Sequence, residues 1–254
     1  MKPACKRPVV VRNVMIGGHV PLVCIPLVAE DGQALLAEAR ASAQHAPDLL
    51  EWRADYFKGV VPDTIEALLS ALRTDIGQTP LIFTYRSPRE GGRAPDDLRA
   101  RLGVIAAALE SPYADLVDFE LDSGEQAVAE VRQMSRDRGK HLILSWHDFS
   151  STPDAVGIHF KLSAAQVHGA DIAKVAVTPQ CNADVLTLLS ATLAARSKDV
   201  DIPIISMSMG ERGVASRVVG HHFGSDVTFA RGLEASAPGQ IPIADLRAIW
   251  RLLP

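Results

Sequence analysis

Two residues carry the sharpest chemical signal in the sequence. Lys174 sits in Ile172-Ala173-Lys174-Val175-Ala176-Val177, a run that is otherwise apolar. Three readings are open: a lysine pointing into a pocket, a surface lysine at a strand end, or a run that is no strand. In the first case, burial without a partner disfavours the ammonium form. A neutral amine in a dry pocket attacks ketones and aldehydes, which is the chemistry of Schiff-base lysines. The second residue is His147, in Ser145-Trp146-His147-Asp148. Its imidazole titrates near neutral pH and could move the protons that imine chemistry requires. A histidine beside an aspartate also serves purely structural ends. Arg217 opens a third possibility, since a planar guanidinium near a helix start could hold a substrate carboxylate in a fork.

Such residues need a scaffold that aims them at one point. Eight short apolar runs recur at 21–28, 49–52, 81–85, 116–119, 141–146, 172–177, 204–207 and 227–230. Several are nearly continuous in apolar residues, as strands covered on both faces are. Helical patterns lie between them. Asp31 caps a helix over 33–45, Pro62 opens one carrying Ile65, Leu68, Leu69 and Leu72, and 99–109 carries Leu102, Ile105, Ala106 and Leu109. Another runs from Asp122 or Ser123 to Asp137 and stops at Gly139. Segments 163–168, 182–197, 214–219 and 243–252 complete the set. Strand and helix alternating about every 30 residues predict a parallel (β/α)8 barrel, a TIM barrel, as one domain over 1–254. A doubly wound sheet is the alternative, but no glycine fingerprint follows the first strand. Within the extension at 1–19, residues 9–14 followed by Gly17-Gly18 read as a β-hairpin closing the barrel floor.

In a barrel, function gathers at the C-terminal strand ends. Polar residues cluster at those positions: Glu51, Arg53 and Asp55; Thr84 and Arg86; Glu120; Ser145, His147 and Asp148; Ser206 and Ser208. One polar strand end is ordinary, whereas five together describe a polar pocket.

Composition narrows the class. The 254 residues carry 26 Lys plus Arg against 30 Asp plus Glu, a net charge of −4, which argues against a nucleic-acid partner. No apolar run approaches the roughly 20 residues that span a bilayer, and no signal peptide is evident. Cys5, Cys24 and Cys181 are too far apart for a disulfide framework or a zinc site. The expectation is a cytoplasmic protein without a metal centre. His221-His222 lacks companions for a metal, and Glu90-Gly91-Gly92-Arg93 is too short for a phosphate cradle. The small-residue segment 235–240 is either a plain connection or a mobile lid.

Taken together, these segments resemble one family, the type I 3-dehydroquinate dehydratases. The resemblance rests on Glu51-Trp52-Arg53-Ala54-Asp55, Phe83-Thr84-Tyr85-Arg86-Ser87, Glu90-Gly91-Gly92 and Ser145-Trp146-His147-Asp148-Phe149. It continues through 171–177, Met207-Ser208-Met209-Gly210 and Ala235-Ser236-Ala237-Pro238-Gly239-Gln240-Ile241. It implies a barrel that removes water from 3-dehydroquinate to give 3-dehydroshikimate, in the shikimate pathway, with no metal or organic cofactor and as a homodimer. It implies Lys174 as the imine lysine, His147 as general acid and base, and Glu90 as the partner of His147. Glu51, Arg53 and Arg86 fall where the family holds substrate hydroxyls. Arg217, Ser236 and Gln240 fall where it holds the carboxylate and closes the lid, and Met207, Met209, Phe149 and Phe229 would wall the ring. Two other classes are a class I aldolase, which shares the barrel lysine but cleaves a C–C bond, and a noncatalytic binding module.

Overall fold

The computed structural model describes residues 3–233, 237 and 239–253. The chain starts with a two-stranded antiparallel hairpin, β1 (Val9–Val11) and β2 (Val14–Ile16). Eight parallel strands follow: β3 (Leu22–Leu27), β4 (Leu49–Arg53), β5 (Leu81–Thr84), β6 (Leu116–Glu120), β7 (His141–Asp148), β8 (Ile172–Val177), β9 (Ile204–Ser208) and β10 (Val227–Phe229). They pair in the order β10-β3-β4-β5-β6-β7-β8-β9. The seam between β9 and β10 is closed largely by polar groups ahead of β10. Asp226 N donates to Ile204 O at 2.6 Å, Asp226 Oδ2 accepts from Ile204 N at 2.7 Å, and Ser225 Oγ accepts from Ser206 N at 3.1 Å. The outer ring comprises α1 (Gly32–Ala43), α2 (Pro62–Ile76), α3 (Leu98–Glu110), α4 (Glu125–Asp137), α5 (Ala155–Val167), α6 (Asn182–Lys198), α7 (Val214–Val219) and α8 (Ile243–Leu252). The expected TIM barrel is therefore present.

Strand alternation divides the core in two. Leu50, Trp52, Phe83, Val117, Phe119, Leu142, Leu144, Ala173 and Val175 pack outward against the helices. Leu22, Leu49, Ile82, Leu116, Ile143, Ile172, Ile205 and Val227 form a second cluster with Val11 and Ile16 of the hairpin. Those eight residues stand near the strand starts, so the hairpin plugs the N-terminal end of the barrel. Because side chains repeat every second residue along a strand, positions two and four beyond this apolar floor share its face. They read Glu51 and Arg53 on β4, Asp118 and Glu120 on β6, Ser145 and His147 on β7, Lys174 and Ala176 on β8. One strand period thus turns an oily floor into a polar mouth.

Local chemistry fixes the helix starts. Asp31, Asp97 and Asp154 accept hydrogen bonds from Ala34 N, Ala100 N and Gly157 N, and Pro62 opens α2. Four details differ from the sequence reading. The hairpin runs on to Ile16, beyond the 9–14 expected, and turns at Arg12-Asn13, with Arg12 at φ 54°. α4 starts at Glu125, after a 3-10 turn over Leu121–Ser123 and Gly124 at φ 100°. β7 continues to Asp148. The largest difference is α5, which spans 13 residues where only 163–168 was expected. Its inner face buries Ile158, Leu162 and Ala165, while Val156, Phe160 and Val167 are exposed. A helix apolar on both sides has no clear amphipathic period, so its first turns were invisible.

The floor plug generates a stability prediction. Ile16→Ala deletes a fully buried side chain beneath the barrel and should cost about 2–5 kcal/mol in urea-induced unfolding. Met15→Ala, on the exposed face of the same strand, should stay within about 0.5 kcal/mol. Equal effects of the two would contradict the plug.

Candidate active site

The mouth cavity is lined by Glu51, Arg53, Arg86, Glu90, Gly91, His147, Phe149, Lys174, Ala176, Met207, Met209, Arg217, Phe229, Ala237 and Gln240. All of the residues to which the family resemblance gave a role are in this set except Ser236, which lies outside the described residues, whereas the strand-end residues Asp55, Thr84, Glu120, Ser145, Asp148, Ser206 and Ser208 do not line it. Lys174 and His147 stand on paired strands, with Lys174 opposite Ser145 and His147 opposite Ala176. The strand reading of 172–177 and the inward direction of Lys174 both hold.

The surroundings of Lys174 differ from the expectation of a lysine without a partner. Its Nζ donates to Asp118 Oδ2 at 2.7 Å and to Glu51 Oε1 at 3.4 Å, and lies 4.7 Å from the centre of the Phe229 ring. Asp118 was missed in the sequence. Its signal was the spacing Leu116-Val-Asp118-Phe-Glu120, which puts both carboxylates on the inner face of β6. Burial alone would raise the Asp118 pKa, but the Arg86 guanidinium and the Lys174 ammonium hold it well below the usual range.

The pairing continues away from the mouth. Arg86 donates through Nη2 to Asp118 Oδ1 at 2.7 Å, and through Nη1 to Ser145 Oγ at 2.7 Å and Glu120 Oε1 at 3.2 Å. Glu120 Oε1 also accepts from Ser87 N at 2.8 Å, and its Oε2 accepts from Arg101 Nη2 of α3. Arg101, Glu120, Arg86, Asp118 and Lys174 are each at most 6% exposed. They form an alternating ladder of charge from an outer helix to the mouth. Burial opposes the Arg86 charge, yet Asp118 and Glu120 raise its pKa above the ordinary value.

His147 is held from the opposite side. Glu90 Oε2 lies 2.8 Å from Nδ1 and also accepts from the backbone N of His147 at 3.0 Å. With Nδ1 carrying the hydrogen toward this carboxylate, Nε2 is left with a free lone pair as an acceptor. Burial pushes Glu90 up to about 8, opposed by Arg86 and reinforced by Glu120 and Asp118. Burial, together with Arg86 and Lys174, holds His147 well below its usual value. The turn that delivers Glu90 needs its glycines. Gly91 has φ 74°, and a Cβ there would meet the Phe149 ring at 2.3 Å. A Cβ on Gly92 would meet Arg86 O at 2.0 Å.

The remaining candidates fill out the walls. Arg53 makes a two-pronged bond to Asp55, at 2.8 and 2.9 Å, and Asp55 also accepts from Arg93 N. Glu51 accepts from Thr84 Oγ1 at 2.8 Å. Phe149 stands at the rim, 6.3 Å from His147 in a stacked arrangement. Arg217 belongs to α7, is 1% exposed, and lies 3.3 Å from both Met207 Sδ and Phe229 O. Burial lowers its pKa to about 10. Among the described residues, no group of three or more His, Cys, Asp or Glu converges as metal ligands. No helix there is long and apolar enough to cross a membrane.

Comparison with known proteins gives one answer. The family model described as Type I 3-dehydroquinase matches residues 23–254. The 3-dehydroquinate dehydratase of Geobacillus thermodenitrificans is 45% identical over 245 residues, covering 96% of this chain and 95% of that one. The crystal structure of the Geobacillus kaustophilus 3-dehydroquinate dehydratase superposes with a TM-score of 0.92 at 41% identity, covering 100% of this chain and 98% of the other. The type I enzyme of Clostridium difficile, solved with covalently modified comenic acid, gives 0.93 at 36% identity, with 98% of each chain covered. The aldolase and binding-module readings are set aside by these matches. The buried lysine and the carboxylate-held histidine lie within a barrel that matches this family over nearly its whole length: the chain belongs to the type I 3-dehydroquinase family.

Proposed function

We propose that this dehydratase removes water from 3-dehydroquinate through an imine on Lys174, with His147 moving the protons. The observation that carries this reading is the placement of Lys174 and the Glu90-held His147 on paired strands facing one cavity. Lys174, having given up a proton, attacks the ring ketone. The carbinolamine loses water and leaves an iminium. The iminium draws electrons from the adjacent carbon, whose C–H becomes acidic enough for His147 Nε2 to take the proton. The resulting enamine expels the β-hydroxyl, and the same imidazole returns its proton to the departing oxygen. One base on one face makes the elimination syn. Water then hydrolyses the product imine, releases 3-dehydroshikimate and restores the amine.

The other residues fit around this sequence. Asp118 and Glu51 are counter-charges for the cationic iminium, which would otherwise be a costly buried charge. Glu51, Arg53 and Arg86 hold the substrate hydroxyls. Arg217 grips the carboxylate, a role suited to a buried guanidinium with a rigid fork. Gln240, together with Ser236, closes over it. Met207, Met209, Phe149 and Phe229 wall the ring. No step requires a metal or organic cofactor, because the iminium is itself the electron sink. The setting we assign is the shikimate pathway in the cytoplasm, with a homodimeric assembly.

Mass spectrometry after borohydride treatment tests the core of the proposal. With 3-dehydroquinate present, a reduced adduct should appear on the peptide containing Lys174. Lys174→Ala should give none. His147→Ala should still give it, while kcat falls by about 10²–10⁴-fold. An adduct on another lysine, or near-normal turnover without His147, removes the assignment. The carboxylate contact has its own signature, since Arg217→Lys keeps the charge and loses the fork. KM should rise while saturating substrate still gives the adduct, and an unchanged KM would take Arg217 out of the site.

A pH profile tests the histidine–glutamate pair. The base form carries one proton between the two residues. As pH falls the pair takes up a second, Nε2 is lost as an acceptor, and kcat/KM drops. Burial raises the Glu90 pKa, so Glu90 is the group that brings this limb toward higher pH. Glu90→Gln should move the acid limb to lower pH, and a limb left in place would separate Glu90 from the titration.

A further inference from the structure

The charge ladder extends well past anything the substrate touches. Arg101 lies on α3, outside the barrel wall, and does not line the mouth cavity. It is nevertheless 4% exposed and reaches inward to Glu120. The Phe119 ring lies 5.8 Å from its guanidinium carbon. Glu120 in turn shares Arg86 with Asp118, and Asp118 holds the Lys174 amine. Removing either end of such a buried series changes the net charge felt at the other.

We infer that Arg101 is a positioning residue for Lys174: its charge, carried through Glu120, Arg86 and Asp118, sets how readily the lysine presents a neutral amine to the ketone. The inference rests on the reading of Lys174 as the imine lysine. Its physical basis is electrostatic. A unit charge roughly 10 Å away, at an effective dielectric of about 20, shifts a titration by about 1 pH unit. Arg101 adds a positive charge, which favours loss of the lysine proton, and Glu120 adds a negative charge, which opposes it. The geometry adds a second effect. With its outer oxygen occupied by Arg101, Glu120 draws on only one arm of Arg86, and the other arm stays on Asp118.

The groups facing Lys174 are few and can be named. Glu51 comes from β4, Asp118 from β6 and His147 from β7, while Arg86 follows β5. β3 contributes the buried Cys24 thiol, which burial pushes well above its ordinary value. β9 and β10 contribute Met207 and the Phe229 ring, which are uncharged. Of these, only Arg86 bonds directly to Glu120, so the displacement measures the ladder that runs through it.

The test is the pH dependence of borohydride capture at Lys174, counting substrate and product adducts together in single-turnover quench. Arg101→Gln removes a positive charge and should displace the profile up by about 1 pH unit, slowing capture roughly tenfold on the rising limb. Glu120→Gln removes a negative charge and should displace it down. The double variant should return close to the wild-type position. A purely structural role would slow capture in both single variants at every pH without opposite displacement, and that result overturns the inference. Arg101→Lys keeps the charge and should keep the wild-type profile. A displaced profile there overturns the inference even if the glutamine variants fail to fold. If wild-type protein gives no adduct on Lys174, the imine reading itself fails, and that outcome is distinct from all of these.

Discussion

The structure is organised around the problem of burying a lysine side chain in the middle of a protein. An ammonium in an apolar interior is untenable alone, and a buried pair is stable only when its geometry is good and its remaining lone pairs are satisfied. The chain meets this by extending the pair. Asp118 answers Lys174, Arg86 answers Asp118, Glu120 answers Arg86 and Arg101 answers Glu120. Each link leaves a new charge to neutralise until the series reaches an outer helix. The substrate site is the open end of this series.

The histidine is managed in the reverse way. Lys174 and Arg86 both make a second cation unwelcome nearby, and burial adds to the effect. The imidazole is thereby kept neutral and able to accept a proton. Glu90 fixes its orientation from a turn whose two glycines are required by close contacts with Phe149 and Arg86. The lysine and a neutral imidazole thus coexist on adjoining strands because different partners serve each.

Much of this was legible in the sequence, for reasons that can be named. Barrel strands have a period of two, so Leu49-Leu-Glu51-Trp-Arg53 and Ile143-Leu-Ser145-Trp-His147 show directly which residues share a face. Lys174 was conspicuous because its strand offers no other polar side chain. Asp118 and Arg101 were not read because their meaning depends on long-range partners. An aspartate between Val117 and Phe119, or an arginine in a helix rich in alanine, looks ordinary until the fold brings them to Arg86 and Glu120. The pairing of Glu90 with His147 joins residues 57 positions apart, and only the family resemblance proposed it. α5 was truncated for a different reason, since a helix apolar on both faces hides its own period. The hairpin turn was not located because glycine is only the usual solution to a left-handed residue, and Arg12 supplies that conformation here.

The hairpin beneath the barrel has a consequence for traffic. With Val11 and Ile16 sealed against the strand starts, the barrel is a cup and not a tube. Reactant, product and the water molecules of the reaction all pass the same rim, beside Phe149. Nothing can be pushed through from below, so departure of one ring must precede arrival of the next. A released product that returns meets the same emptied cavity and competes head-on with fresh reactant. The order of events at the rim is imposed by the closed floor at the other end of the fold.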